Sequence, residues 1–279
     1  MNLYPHLGAS TPFDAPNAHV TSPAVPPLVL ATSRLLLALY TLCTLLVSLI
    51  WSAVHDHYAN DYFSYFTHLT YIGLCAYFFA AGVQTLAYAR SLRQSSDSPS
   101  YPLQRWPRAL QALHVLLQTT ITTYPVVVTI VFWALLASPT TFESSETSWS
   151  NISMHIFNTV FALAEILLTN IPPSPWLTLP ASIVLLACYL AVAYITHADQ
   201  GLYPYAFLDP TRQKGLLGAY IVGILACYCI VFLIVRSLVV LRIRLFARKQ
   251  GHGRSLVLAE SLTQWEDVEP PKPSAAVAV

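Results

Sequence analysis

The chain has 279 residues, 55% of them hydrophobic and only 10% charged, with a mean hydropathy of +0.54 and a formal net charge of +1. Soluble domains carry about a quarter charged residues, and here the charge is gathered into short patches between long uncharged runs. These numbers exclude an ordinary soluble domain and remove any electrostatic case for a nucleic-acid partner.

Residues 1–27 are polar and Pro-rich, with no Lys or Arg. They do not have the charged and apolar regions of a cleavable signal peptide. The first apolar run is therefore expected to serve as the targeting signal. Six such runs follow, over residues 28–54, 63–89, 109–137, 152–169, 176–196 and 216–241. Each is close to the roughly 20 residues that a bilayer core demands of a helix. A membrane β-barrel would instead show alternating segments of about ten residues, and these runs do not alternate. The fold class expected is all-α, a polytopic membrane protein with a six-transmembrane-helix bundle over residues 28–245. Residues 246–279 contain Pro and acidic positions and are expected to form a disordered cytoplasmic tail.

Lys and Arg placement orients the bundle. Arg90, Arg93, Arg105 and Arg108 lie between the second and third runs, and Arg242, Arg244, Arg248 and Lys249 follow the sixth. The intervening loops at 55–62 and 138–151 carry acids and no Lys or Arg. With six spans both basic segments fall on one face, which puts both termini in the cytoplasm. Arg34 lies near that face and can snorkel to it.

The five cysteines (Cys43, Cys75, Cys188, Cys227 and Cys229) all lie in apolar runs and read as small packing residues. His55 and His57 flank Asp56 in a short loop, but only His68 lies near them, so no metal site is expected. No cofactor motif is present.

The stretch "YFSYFTHLTYIGLCAYFF", residues 62–79, is apolar yet carries Thr67, His68 and Thr70. A threonine in a spanning helix ordinarily bonds back to its own helix, and Thr70 takes that reading. The topology sets Thr67, His155 and His197 at similar depth near the outer face. In the fourth run, His155, Asn158, Ala162 and Glu165 fall on one stripe about 100° wide. Ionisable residues at membrane depth face a bundle interior or a wet cavity, so the stripe is expected to point inward. Glu165 lies about 15 Å along the helix from His155, too far to orient it, whereas Asn158 is one turn away.

Three stretches, "YFTHLTYIGLCAYFF", "SMHIFNTVFALAEILL" and "YITHADQGLYPYAFLD", together resemble the androgen-induced membrane protein family. Its animal members include hydrolases of fatty acid esters of hydroxy fatty acids. The resemblance runs over essentially the whole membrane domain and is nearest the fungal-type members. It implies a threonine hydrolase with Thr67 as nucleophile and His155 as base. It also places His197, with Gly201, Tyr203 and Pro204, in a further family pattern. His197 would assist the carbonyl or the proton transfer, Asn158 and Glu165 would support the site, and Tyr203 and Pro204 would contact substrate. The second threonine, Thr70, leaves the nucleophile open between the two. The partners implied are membrane lipids and an apolar ester. The location expected is an endomembrane such as the endoplasmic reticulum. Two other classes remain open: a small transporter working through Glu165, and a non-catalytic membrane scaffold.

Overall fold

The computed structural model describes residues 2–56, 60–94 and 98–249. Six helices are long and apolar enough to cross a membrane: α1 Pro27–His55, α2 Phe66–Arg93, α3 Arg108–Leu136, α4 Ser145–Leu168, α5 Thr178–Gln200 and α6 Leu216–Phe246. There are no strands among the described residues. The protein is a multi-pass integral membrane protein.

Local chemistry sets the helix ends. Proline occupies the first turn of α1, where its missing N–H costs nothing. Gly201 closes α5 in the left-handed region, at φ 73°, and its N–H bonds the His197 carbonyl at 2.8 Å. The fourth helix begins seven residues before its apolar run, at Ser145 rather than 152. Ser144 caps it, accepting from the Thr147 N–H at 3.1 Å, and this capped polar turn carries no hydropathy signal.

In lipid, helices associate through close packing and buried polar contacts rather than water exclusion. The α1–α2 pair meets through Ala38, Ala81 and Gly82; a Cβ at Gly82 would lie 2.8 Å from Leu35 Cδ2. A second cluster, with Tyr124, Ile166, Tyr228 and Val231, joins α3, α4 and α6.

The end of the bundle that carries Arg90, Arg93, Arg105 and Arg108 is closed by the N-terminal segment. Asp14 accepts from the Ala18 and His19 N–H groups at 2.8 and 3.0 Å and from the Tyr101 hydroxyl at 2.5 Å. Gln104 Nε2 donates to the Asp14 carbonyl and to Asn17 Oδ1, both at 3.0 Å. Arg34 does not snorkel. It is 1% exposed and turns inward, donating to Glu165, to the His19 carbonyl at 2.8 Å and to Thr85 Oγ1 at 2.6 Å. The buried carboxylate outweighs the pull of the interface. Arg242 is also drawn in, donating to the Ile166 carbonyl in the last turn of α4 and to the Ile171 carbonyl just beyond it, both at 2.5 Å. His57 and residues 250–279 lie outside the described residues; His55 stacks on Trp51 at 3.9 Å.

Candidate active site

Thr67 is the second residue of α2. It therefore has no preceding turn of its own helix to bond back to. Thr70 has one, and its hydroxyl donates to the Thr67 carbonyl at 3.0 Å. Thr41, Thr44, Thr119, Thr122 and Thr123 make the same local bond. Position at the helix start thus separates Thr67 from the structural threonines around it.

Thr67 lines a cavity of about 180 Å³. Val127, Val128, Val131 and Phe132 of α3, Ile183, Leu186, Ala187 and Leu190 of α5, and Ile221, Ile224 and Leu225 of α6 form most of its wall. Ala187, in the lining, is exposed, so the cavity opens at the surface of the bundle beside α5. The polar side chains in the lining are Thr67, Tyr189 and Tyr205. The Thr67 N–H donates to the Tyr205 hydroxyl at 3.4 Å, and the Tyr189 hydroxyl donates to the Ser64 carbonyl at 3.1 Å.

His155 is the central residue of a π-helical turn, Ser153–Phe157, and Phe132 opens another, Phe132–Leu136. Such widened turns recur at functional sites. Here they lay the two rings face to face, with centroids 3.6 Å apart and planes at 6°. His155 is 7% exposed and its Nδ1 has no hydrogen-bond partner. Its carbonyl accepts from Thr129 Oγ1 at 2.9 Å and from Trp133 Nε1 at 3.3 Å. Phe132, on which His155 stacks, lines the same cavity as Thr67, and no hydrogen bond joins Thr67 to His155.

The FAR-17a/AIG1-like protein family model matches residues 33–238. The chain belongs to this family. No curated protein and no solved structure matches it.

The other residues singled out in the sequence are spread more widely than the family motifs suggest. Asn158 does not reach the His155 ring. Its Oδ1 accepts from Thr129 Oγ1 at 3.1 Å and its Nδ2 donates to the Pro125 carbonyl at 3.5 Å. Glu165 lies at the basic end, paired with Arg34 and accepting from the Tyr77 hydroxyl at 2.8 Å. His197 stacks on Tyr203 at 3.8 Å, with its Nδ1 unpartnered. Neither His197, Tyr203 nor Pro204 lines the cavity; Tyr205, Phe207 and Leu208 from the same connection do. From sequence, Tyr205 reads with Tyr203 and Pro204 as part of an interfacial aromatic belt, whereas it lines the cavity. Phe132 drew no notice in the sequence, because its contact with His155 depends on two π-helical turns that leave no mark in hydropathy. His68 is held away from the cavity, stacked on Tyr62 at 3.8 Å with Nδ1 on the Tyr62 carbonyl at 2.6 Å.

Proposed function

We propose that this protein is an integral-membrane lipid-ester hydrolase with Thr67 as nucleophile and His155 as base, acting on fatty acid esters of hydroxy fatty acids or similar lipids. The observation that carries this reading is the placement of Thr67, free of a back-bond to its own helix, on the wall of an apolar cavity open at the surface of the bundle. A cavity lined this way accepts a hydrocarbon chain and fixes it with few polar groups. A threonine hydroxyl is a weak nucleophile and needs a neighbouring base. His155, with its uncommitted Nδ1, stacks on Phe132 of the cavity wall. Proton transfer requires a rearrangement at that ring that lets the imidazole reach the hydroxyl. In the reaction Thr67 Oγ1 attacks the ester carbonyl and its proton passes to His155. The tetrahedral intermediate expels the alcohol, which takes that proton. Water, deprotonated by His155, then attacks the acyl-threonine, and the Thr67 oxygen leaves with that proton as the fatty acid is released.

The buried pairing of Glu165 with Arg34 favours this reading over a transporter, because a neutralised carboxylate offers no open charge to a passing ion. We place the protein in an endomembrane such as the endoplasmic reticulum with both termini cytoplasmic. The support is the shared end of Arg90, Arg93, Arg105, Arg108 and Arg242.

The test uses purified full-length protein in detergent, a fluorophosphonate probe and a long-chain ester of a hydroxy fatty acid. Labelling and turnover are expected to vanish in Thr67→Ala and His155→Ala and to persist in Thr70→Ala. Undiminished turnover in Thr67→Ala overturns the reading.

A further inference from the structure

Acyl transfer needs a hydrogen-bond donor aimed at the carbonyl oxygen as it gains charge. We propose that the Tyr205 hydroxyl is that donor and binds the oxyanion formed when Thr67 attacks; the assignment rests on the hydrolase reading above.

Three side chains in the cavity lining carry a hydroxyl: Thr67, Tyr189 and Tyr205. Thr67 is the nucleophile. Tyr189 spends its proton on the Ser64 carbonyl at 3.1 Å. His197 is turned against Tyr203, outside the lining. Tyr205 remains. Its oxygen accepts the Thr67 N–H at 3.4 Å and is in hydrogen-bonding reach of the Thr67 and Tyr189 hydroxyls, which fixes it beside the nucleophile. The ring is held on several sides. It stacks on Phe207 at 5.1 Å with planes at 5°, and it meets Tyr65 edge-on at 5.7 Å. A donor held this way costs little reorganisation as charge develops. Burial also pushes the phenol above its ordinary pKa, so it stays protonated at neutral pH.

In the step itself, the Thr67 oxygen–carbon bond forms and the carbonyl π pair moves onto oxygen. Tyr205 donates a hydrogen bond to that oxygen and keeps its proton throughout. The pair returns as the alcohol leaves.

The experiment compares an ester with its thionoester, whose sulfur is a poor acceptor, in full-length wild type, Tyr205→Phe and Tyr189→Phe. Tyr205→Phe is expected to lower kcat on the ester about 100-fold with KM within a few-fold, and to shrink the ester-to-thionoester rate ratio. Tyr189→Phe is expected to keep the wild-type ratio. The ratio is taken within one sample, so it is insensitive to the fraction of protein folded. A wild-type ratio in Tyr205→Phe overturns the assignment. If Thr67→Ala is inactive and that ratio is unchanged, Tyr205 alone is wrongly assigned; if Thr67→Ala is active, the hydrolase reading itself fails.

Discussion

Arg34 and Glu165, 131 residues apart in the chain, form an ion pair with side chains 1% and 3% exposed. Arg34 Nε donates to Glu165 Oε2 at 3.2 Å, and the Tyr77 and Thr85 hydroxyls complete the shell. The pair ties α1 to α4 and, through the His19 carbonyl, seats the N-terminal segment. Removing one partner leaves a buried charge uncompensated, at a cost of about 3–5 kcal/mol. Arg34→Met and Glu165→Leu are each expected to lower thermal stability in detergent by about that much, and the double variant to recover most of it. Additive losses in the double variant would show that the pairing is not what makes each single change costly.

His19 gives the basic end a dependence on pH. Its ring is buried against Phe13 and His114, near Asp14, Arg34, Glu165 and Gln118, and both ring nitrogens lack a hydrogen-bond partner. Burial is the main cause holding its pKa below the ordinary 6.5. As pH falls through about 6.5 the unfolded chain takes up a proton that the folded chain refuses, so stability drops over that window. His19→Gln keeps the backbone carbonyl for Arg34 and removes the titrating group. Melting temperature between pH 7.5 and 5.5 is expected to fall less in His19→Gln than in wild type; parallel curves would exclude His19 as a contributor.

The cavity wall predicts chain-length selectivity. Ala187 lines the cavity where it meets the outer surface, and Ala187→Phe narrows that entrance without touching Thr67 or His155. Turnover of a long-chain ester is expected to fall about tenfold or more, and that of a short-chain ester to change little. Equal losses for both would mean that the acyl chain does not occupy this cavity.

Hydropathy alone made the six spans readable, because a bilayer forces long uncharged helices. The family motifs pointed to Thr67 and His155, but the apolar run began at residue 63 and put Thr67 about one turn inside the helix, whereas α2 starts at Phe66. Pairings across the bundle could not be read this way. Arg34 looked like an interfacial residue because its partner Glu165 lies three helices away in sequence. The N-terminal segment showed only polar composition, although Asp14 and His19 are buried against the 101–104 turn and α1. Tyr205 was hidden for a similar reason: an aromatic near a helix end reads as interfacial belt until tertiary structure turns it inward.

Thr129 is the remaining junction near the candidate site. Its hydroxyl lies 2.9 Å from the His155 carbonyl, 3.1 Å from Asn158 Oδ1 and 2.8 Å from Thr159 Oγ1. It joins α3 to α4 where each helix widens into a π-helical turn, the geometry that holds His155 against Phe132. Thr129→Val keeps the shape and removes one donor, while the His155 carbonyl keeps Trp133 Nε1 and Asn158 Oδ1 keeps the Thr159 N–H. A loss of about 0.5–1.5 kcal/mol in stability is expected, with a fall in turnover as His155 loses its setting, and Thr129→Ser is expected to restore both. If Thr129→Ser behaves like Thr129→Val, the hydroxyl is not the cause, and packing of the methyl group positions His155 instead.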